Sequence, residues 1–109
     1  MKLAVLVVHH RDKGRVTEAL LRADFKFTTI GSSGGFLREG SVTLLIGVEE
    51  ADLPTLRAVV AEHSQRREQM VSVAAFESAG TPAFAPNAVK VQVGGAVLFV
   101  LDVDSFERF

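Results

Sequence analysis

A Gly-rich stretch between two apolar segments holds most of the residues suited to binding an anion. It runs from Thr28 to Ser41 as TTIGSSGGFLREGS, and the cations Lys26 and Arg38 lie beside and within it. Glycine lets the backbone approach a phosphate closely, and Ser and Thr add hydrogen-bond donors without bulk. The stretch has neither the strand-to-helix setting of a dinucleotide fingerprint nor the Gly-Lys-Ser/Thr of a P-loop. We interpret it as an anion cradle, with a plain hairpin loop as the alternative.

Two large apolar residues, Phe36 and Leu37, lie at the tip of this stretch. Residues of that size in a short loop flanked by glycine have to find cover from water. A nucleotide base or a neighbouring subunit would provide that cover. Packing against another loop of the same chain is the alternative.

The histidines and serines are the candidates for metal binding and catalysis. Neighbouring strand residues point to opposite faces, so His9 and His10 are not expected to share an ion. His63 lies on the apolar side of a predicted helix, where a hydrogen-bonded core histidine is the plainer interpretation. Ser32 and Ser33 do not stand in a nucleophile elbow, and no spacing matches a recognised ligand set. The sequence therefore indicates neither a catalytic residue nor a cofactor.

The composition favours one folded domain over residues 1–109. Hydrophobic residues make up 48% and charged residues 23% of the chain, a mix typical of proteins that bury a core. Twelve basic residues stand against 13 acidic ones, which gives no basic face for duplex nucleic acid. The run from Leu3 to Val8 is too short for membrane insertion, and the absence of Cys suits a reducing compartment, so we expect a cytoplasmic protein.

The apolar pattern predicts the elements that must position these residues. A helix capped by Asp12 follows the first strand, and a helix capped by Asp52 and ending near Arg66 follows the third. The strands are predicted at 2–9, 25–30, 41–48, 88–93 and 96–103. The segment 31–40 is the Gly-rich loop, and the segment 70–86 is predicted to be a long mobile loop with brief pairing near its start.

This order of elements predicts an α+β domain with a ferredoxin-like β-α-β-β-α-β antiparallel sheet and both helices on one face. Gly94-Gly95 suits a two-residue turn, which adds a C-terminal hairpin strand to the sheet. The sheet face without helices is expected to pack against copies of the same chain. Its apolar residues are predicted to be Val5, Val7, Leu44, Ile46, Val91 and Phe99.

Several blocks in a fixed order along the chain carry a family resemblance. They are ADFKFT at 23–28, GGFLREG at 34–40, LIGV at 45–48, REQ at 67–69 and VQVGGA at 91–96, followed by the stretch from Phe99 to Phe109. With these blocks the sequence resembles the PII-like cyclic-di-AMP receptors, which are small trimeric bacterial signalling proteins. The resemblance implies a PII-like homotrimer with dinucleotide pockets between its subunits and no enzymatic activity.

The resemblance also implies ligand-binding roles for individual residues. These are Lys26 and Thr28 for phosphate, Ser41 and Gly47 for the edges of adenine, Phe36, Leu37 and Phe99 around the base with Gly35 beside them, and Arg108 from the tail. The family usually has Arg at the position of Lys26 and Asn at that of Ser41. Lys keeps the charge without the bidentate fork, and Ser offers one hydroxyl in place of an amide.

The sequence therefore predicts a receptor that binds cyclic-di-AMP and passes the ligand state through the loop 70–86 to an unidentified downstream protein. A PII-like sensor of another adenine or cyclic nucleotide is the first alternative. A metal-responsive trimer that uses His9 or His10 is the second, and an uncharacterised enzyme is the last.

Overall fold

The computed structural model describes residues 1–32, 40–72 and 88–109. Their elements are β1 (Lys2–His9), α1 (Lys13–Arg22), β2 (Phe27–Ser32), β3 (Ser41–Val48), a 3-10 turn (Glu50–Asp52), α2 (Leu53–His63), β4 (Arg67–Ser72), β5 (Ala88–Val93) and β6 (Ala96–Asp102). Neither helix in these ranges is long and apolar enough to cross a membrane.

Four of the strands form one antiparallel sheet in the order β2-β3-β1-β6. β1 pairs with β3 along its whole length, with Lys2 opposite Val48 and His9 opposite Ser41. Its other edge pairs with β6, with Lys2 opposite Asp102. An antiparallel four-stranded sheet with two helices is consistent with the predicted ferredoxin-like fold.

One face of this sheet packs against both helices and forms the core. Alternate residues of β1 and β3 point towards the helices, because successive side chains of a strand alternate between faces. Helix residues spaced three or four apart meet them. The core residues are Ala4, Leu6, Val8, Val16, Leu20, Phe25, Leu44, Ile46, Val48, Leu53, Leu56 and Val60. Burying one such Leu or Ile side chain contributes about 1.5–3 kcal/mol, so this face accounts for much of the stability.

The opposite face of the sheet, called the open face below, is apolar and partly exposed. Val5 on β1 lies directly between Leu45 on β3 and Phe99 on β6. Phe99 is 40% exposed and Leu101 is 49% exposed. The predicted membership of this face is wrong for Leu44 and Ile46, which are fully buried beneath the helices, and for Val91, which lies on β5 outside this sheet. For the two residues of β3 the cause is register, because a one-residue shift in assigning a strand moves every side chain to the other face.

β4 and β5 form a separate two-stranded antiparallel ribbon, in which Arg67 lies opposite Val93 and Ser72 lies opposite Ala88. The expected pairing near Met70 therefore begins earlier, at Arg67. The rest of the predicted mobile loop, residues 73–86, lies outside the described residues, as do residues 33–39 of the Gly-rich loop.

The predicted hairpin between the last two strands is wrong, because β5 pairs with β4 whereas β6 pairs with β1. Gly94 and Gly95 instead make a corner between the two sheets, with φ angles of 79° and 100°. Glycine is required at such angles because other residues rarely adopt them. The peptide groups of the corner bind neighbouring segments: the N–H of His9 donates to the carbonyl of Gly95 at 3.1 Å.

Both helices begin at the predicted residues, but their caps differ from the prediction. Asp12 and Asp52 occupy the N-cap positions of α1 and α2, yet neither side chain caps its helix. α2 ends at His63, before the expected end near Arg66. The Ser64 hydroxyl donates to the carbonyl of Val60, and the backbone leaves helical geometry at this residue.

Candidate functional site

A pocket of about 370 Å³ lies at the end of the sheet where α1 finishes and α2 starts. This volume is within the range of sites for small ligands. Three segments and the N-terminus form its walls, and the lining residues are Met1, Ala23, Asp24, Phe25, Lys26, Gly47, Val48, Glu49, Asp52 and Thr55.

A tight turn after α1 places Lys26 in the wall of the pocket. Asp24 adopts a φ of 65°, which reverses the chain, and the N–H of Phe25 donates to the carbonyl of Leu20 at 2.9 Å. Phe25 is buried in the core, so it anchors the turn, while the following Lys26 is exposed. Thr28 lies two residues further on, in β2, opposite Leu45 of the open face and outside the residues that line the pocket.

Gly47 contributes a wall of backbone with space in front of it. Among the described residues, a Cβ at this position would meet only the Cε atom of Met1, at 3.9 Å. The packing of these residues therefore does not require glycine here. A residue without a side chain allows a ligand to approach the main chain closely.

The pocket combines positive and negative groups. Lys26 supplies one ammonium group, and the α-ammonium of Met1 lies 3.8 Å from Oε2 of Glu49. Asp24 and Asp52 add two further carboxylates to the walls. Such a site offers cations to a phosphate and oxygen acceptors to the N–H groups of a base.

The other predicted site residues lie at several places on the sheet. Ser41 is at the far end of β3 from Gly47, about 20 Å away at the usual rise per strand residue. Phe99 lies in the same cross-strand row as Thr28, because Thr28 faces Leu45, which faces Val5, which faces Phe99. One chain therefore brings Lys26 and Gly47 together and leaves Ser41 apart from them.

The remaining predicted residues are in the tail and in the Gly-rich loop. Arg108 is exposed, and its guanidinium carbon lies 5.9 Å from the centre of the Phe106 ring. Gly35, Phe36 and Leu37 lie outside the described residues.

The histidines differ from expectation in one respect. The rings of His9 and His10 stack with their centres 4.6 Å apart, so the expectation that they point to opposite faces is wrong. β1 ends at His9, and strand alternation does not extend to His10 in the turn. Nδ1 of His63 lies 2.8 Å from the carbonyl of Val59, as expected for a hydrogen-bonded histidine. Within residues 1–32, 40–72 and 88–109, no three His, Asp or Glu side chains are grouped as metal ligands.

A buried ionic cluster that the sequence did not predict lies at the opposite end of the sheet from the pocket. The Asp12 carboxylate is fully buried and accepts hydrogen bonds from the N–H of Gly95 at 2.9 Å, from Arg67 at 3.1 Å and from Arg15. Burial alone would raise the pKa of Asp12, but the Gly95 N–H and the two guanidinium groups outweigh it and lower the pKa below its ordinary value. We call these four residues the Asp12 joint.

Two comparisons with known proteins cover nearly the whole chain. A family model described as "Cyclic-di-AMP receptor" matches residues 1–109. The crystal structure of a functionally unknown protein from Pediococcus pentosaceus ATCC 25745 is similar, with a TM-score of 0.75 and 32% sequence identity. The match covers 99% of this chain and 96% of that one, so the two folds agree over nearly their full lengths.

Proposed function

Because the chain belongs to the cyclic-di-AMP receptor family, we propose that it is a cytoplasmic receptor that binds cyclic-di-AMP between the subunits of a homotrimer and catalyses no reaction. The ligand state passes to a downstream protein through the segment 70–86. The observation that carries this proposal is the meeting of Lys26 and Gly47 in one pocket, although they lie on different elements.

The phosphate of the ligand is assigned to Lys26 and Thr28. A cyclic dinucleotide carries two negative charges, and hydrogen bonds from charged donors to phosphate are stronger than neutral ones. Lys26 is exposed in the pocket wall, and Thr28 follows it two residues later on β2. Gly47, which has space in front of its backbone, is assigned to the edge of the adenine.

The open face supports assembly into a trimer. Its central row of Thr28, Leu45, Val5 and Phe99 is mostly apolar, and Ile30 nearby is 44% exposed. Contiguous apolar surface of this kind is unusual on a monomer and typical of an interface. In the proposed trimer, Phe99 and the tail residue Arg108 are assigned to contacts with a ligand in the pocket of an adjoining copy.

Titration calorimetry tests the ligand. We expect cyclic-di-AMP to bind with one site per subunit and more tightly than cyclic-di-GMP or ATP. Tighter binding of ATP would indicate a sensor of another adenine nucleotide. Binding of Zn²⁺ or Mn²⁺ that is lost when His9 and His10 are both replaced by Ala would favour the metal-responsive alternative.

A further inference from the structure

The end of β1 touches two segments that are far apart in the sequence. The N–H of His10 donates to the carbonyl of Gly40, at the end of the Gly-rich loop, at 3.3 Å. The N–H of the preceding His9 donates to the carbonyl of Gly95, at the base of the ribbon, at 3.1 Å. Two consecutive peptide groups therefore bind the two segments on either side.

The Asp12 joint fixes the same corner through a side chain. Its carboxylate accepts hydrogen bonds from the N–H of Gly95 and from the guanidinium of Arg67. Arg67 is the first residue of β4, and Gly95 lies just after the end of β5, so both belong to the base of the ribbon. Arg15 holds the carboxylate from the first turn of α1. A buried carboxylate is stable only with such partners, and removing one of them leaves the charge uncompensated.

The joint is closely packed. A Cβ at Gly94 would lie 2.3 Å from Nη1 of Arg67 and 2.7 Å from Oδ2 of Asp12. Both distances are far shorter than van der Waals contact, so a side chain at position 94 would displace the groups of the joint. The joint therefore leaves no room for a side chain at this position.

We propose that the Asp12 joint is a positioning device that ties the base of the β4–β5 ribbon to the end of the Gly-rich loop through His9 and His10. A displacement of the backbone at Gly40 is then transmitted to Arg67 and Gly95. A displacement of the ribbon is likewise transmitted to Gly40. The joint itself is independent of the ligand. As a route from the ligand to the downstream partner, it rests on the proposed function.

Amide hydrogen exchange on the ligand-free protein tests the joint. In Asp12→Asn we expect exchange at the amides of 67–72, of 88–95 and of His10 to accelerate roughly tenfold or more, because charged hydrogen bonds are lost. Amides at the centre of the sheet, such as those of Leu6 and Leu44, are expected to keep their wild-type rates. Glu18→Gln is the matched control, because it removes a carboxylate from α1 that pairs with Arg22 on the surface.

A second variant covers the case in which Asp12→Asn does not fold. Arg67→Gln removes the partner on the ribbon and keeps the buried carboxylate with Arg15, and it is expected to accelerate the amides of His10 and Gly95 together. Acceleration in the ribbon with an unchanged His10 amide would overturn the proposed link. Equal acceleration across all four strands of the sheet would overturn it too, since it would show general destabilisation.

Cyclic-di-AMP then tests the route. In the wild type, saturating ligand is expected to slow exchange in 67–72, and in Arg67→Gln this effect is expected to disappear while the ligand still binds. A ligand effect on the ribbon that persists in Arg67→Gln overturns the route. A wild type that binds no cyclic-di-AMP contradicts the proposed function alone, because the ligand-free exchange decides the joint by itself.

Discussion

Lys26 and Asp12 show that a charge has different uses at the surface and in the interior. The ammonium of Lys26 lies exposed in a pocket wall, whereas the carboxylate of Asp12 is fully buried with three donors around it. The exposed cation can exchange water for a ligand at little cost. The buried anion has no such freedom, so its contribution is to structure.

Replacement of Lys26 tests the phosphate assignment. Lys26→Ala is expected to weaken cyclic-di-AMP binding by about 1.5–3 kcal/mol, the range for a hydrogen bond to a charged group. Lys26→Arg is expected to leave binding unchanged or to improve it, because Arg restores the bidentate fork. Calorimetry measures both. Arg22→Ala is the control: it removes a cation four positions earlier that pairs with Glu18, and an equal loss of affinity there would contradict the assignment.

The stability of the protein in acid is expected to depend on Asp12. Its pKa is lowered in the folded state and lies near 3.9 in an unfolded chain, so its contribution is complete above about pH 4. As the pH falls through the lower folded-state pKa, that contribution disappears. Urea unfolding from pH 7 to pH 2 is expected to show Asp12→Asn about 2 kcal/mol less stable at pH 7, with the gap closing in acid. A gap that stays constant down to pH 2 would disprove this role.

The sequence is more informative about Lys26 and Gly47 than about the joint. Both lie in blocks that carry the family resemblance, and both line the pocket. Asp12 has the local pattern of a helix cap, which the sequence predicts correctly in position. Its partners Arg67 and Gly95 lie 55 and 83 positions away, and no local pattern reveals contacts at that separation.

The elements differ in how strongly their own sequence defines them. The bounds predicted for β1 agree with the structure, because a short, continuous apolar run rich in Val is typical of a central strand. The partner of β5 was predicted wrongly, because the pattern of a strand does not encode which edge it joins. Gly94-Gly95 satisfies a hairpin turn and a corner equally well, and contacts with His9 and Asp12 decide between them.

The corner between the sheets is expected to tolerate no side chain at position 94. Gly94→Ala adds a methyl group 2.3 Å from Arg67 Nη1 at a φ of 79°, so we expect a loss of more than about 2 kcal/mol in the free energy of unfolding. Gly14→Ala is the matched control. A Cβ there meets none of the described residues within 4 Å and lies in a helix, so this change is expected to add about 0.5–1 kcal/mol to the free energy of unfolding. Chemical denaturation measures both changes. An unchanged free energy of unfolding in Gly94→Ala would show that the corner has room for a side chain.

At the scale of the molecule, the two faces of the four-stranded sheet differ in how much of their apolar surface is buried. The helix side of the sheet is a complete core, with Leu6, Leu44 and Ile46 fully buried. The other side ends in Leu101 and Phe99 at 49% and 40% exposure. The apolar surface that remains exposed is therefore available for association.

A charge on the open face is expected to separate the subunits without unfolding them. Leu101→Glu places a carboxylate in that surface, and desolvating it in an interface costs several kcal/mol. Light scattering is expected to give three chains for the wild type and one for the variant, with unchanged circular dichroism. Leu21→Glu is the control: Leu21 is 62% exposed on α1, so the trimer is expected to persist. Dissociation of both variants, or of neither, would rule out the open face as the interface.

The pairing of β1 with β6 also has a consequence for how the protein is made. β6 ends at Asp102, 39 residues after the end of α2 at His63, so a nascent chain that has completed β1 through α2 still lacks the strand that pairs with the second edge of β1. At ~5–20 residues per second, synthesis leaves this edge unpaired for roughly two to eight seconds. An unpaired edge beside an apolar face invites association with other strands. β1 therefore leaves the ribosome early with one edge unpaired. β6, which pairs with that edge, is the last of the described strands to be synthesised.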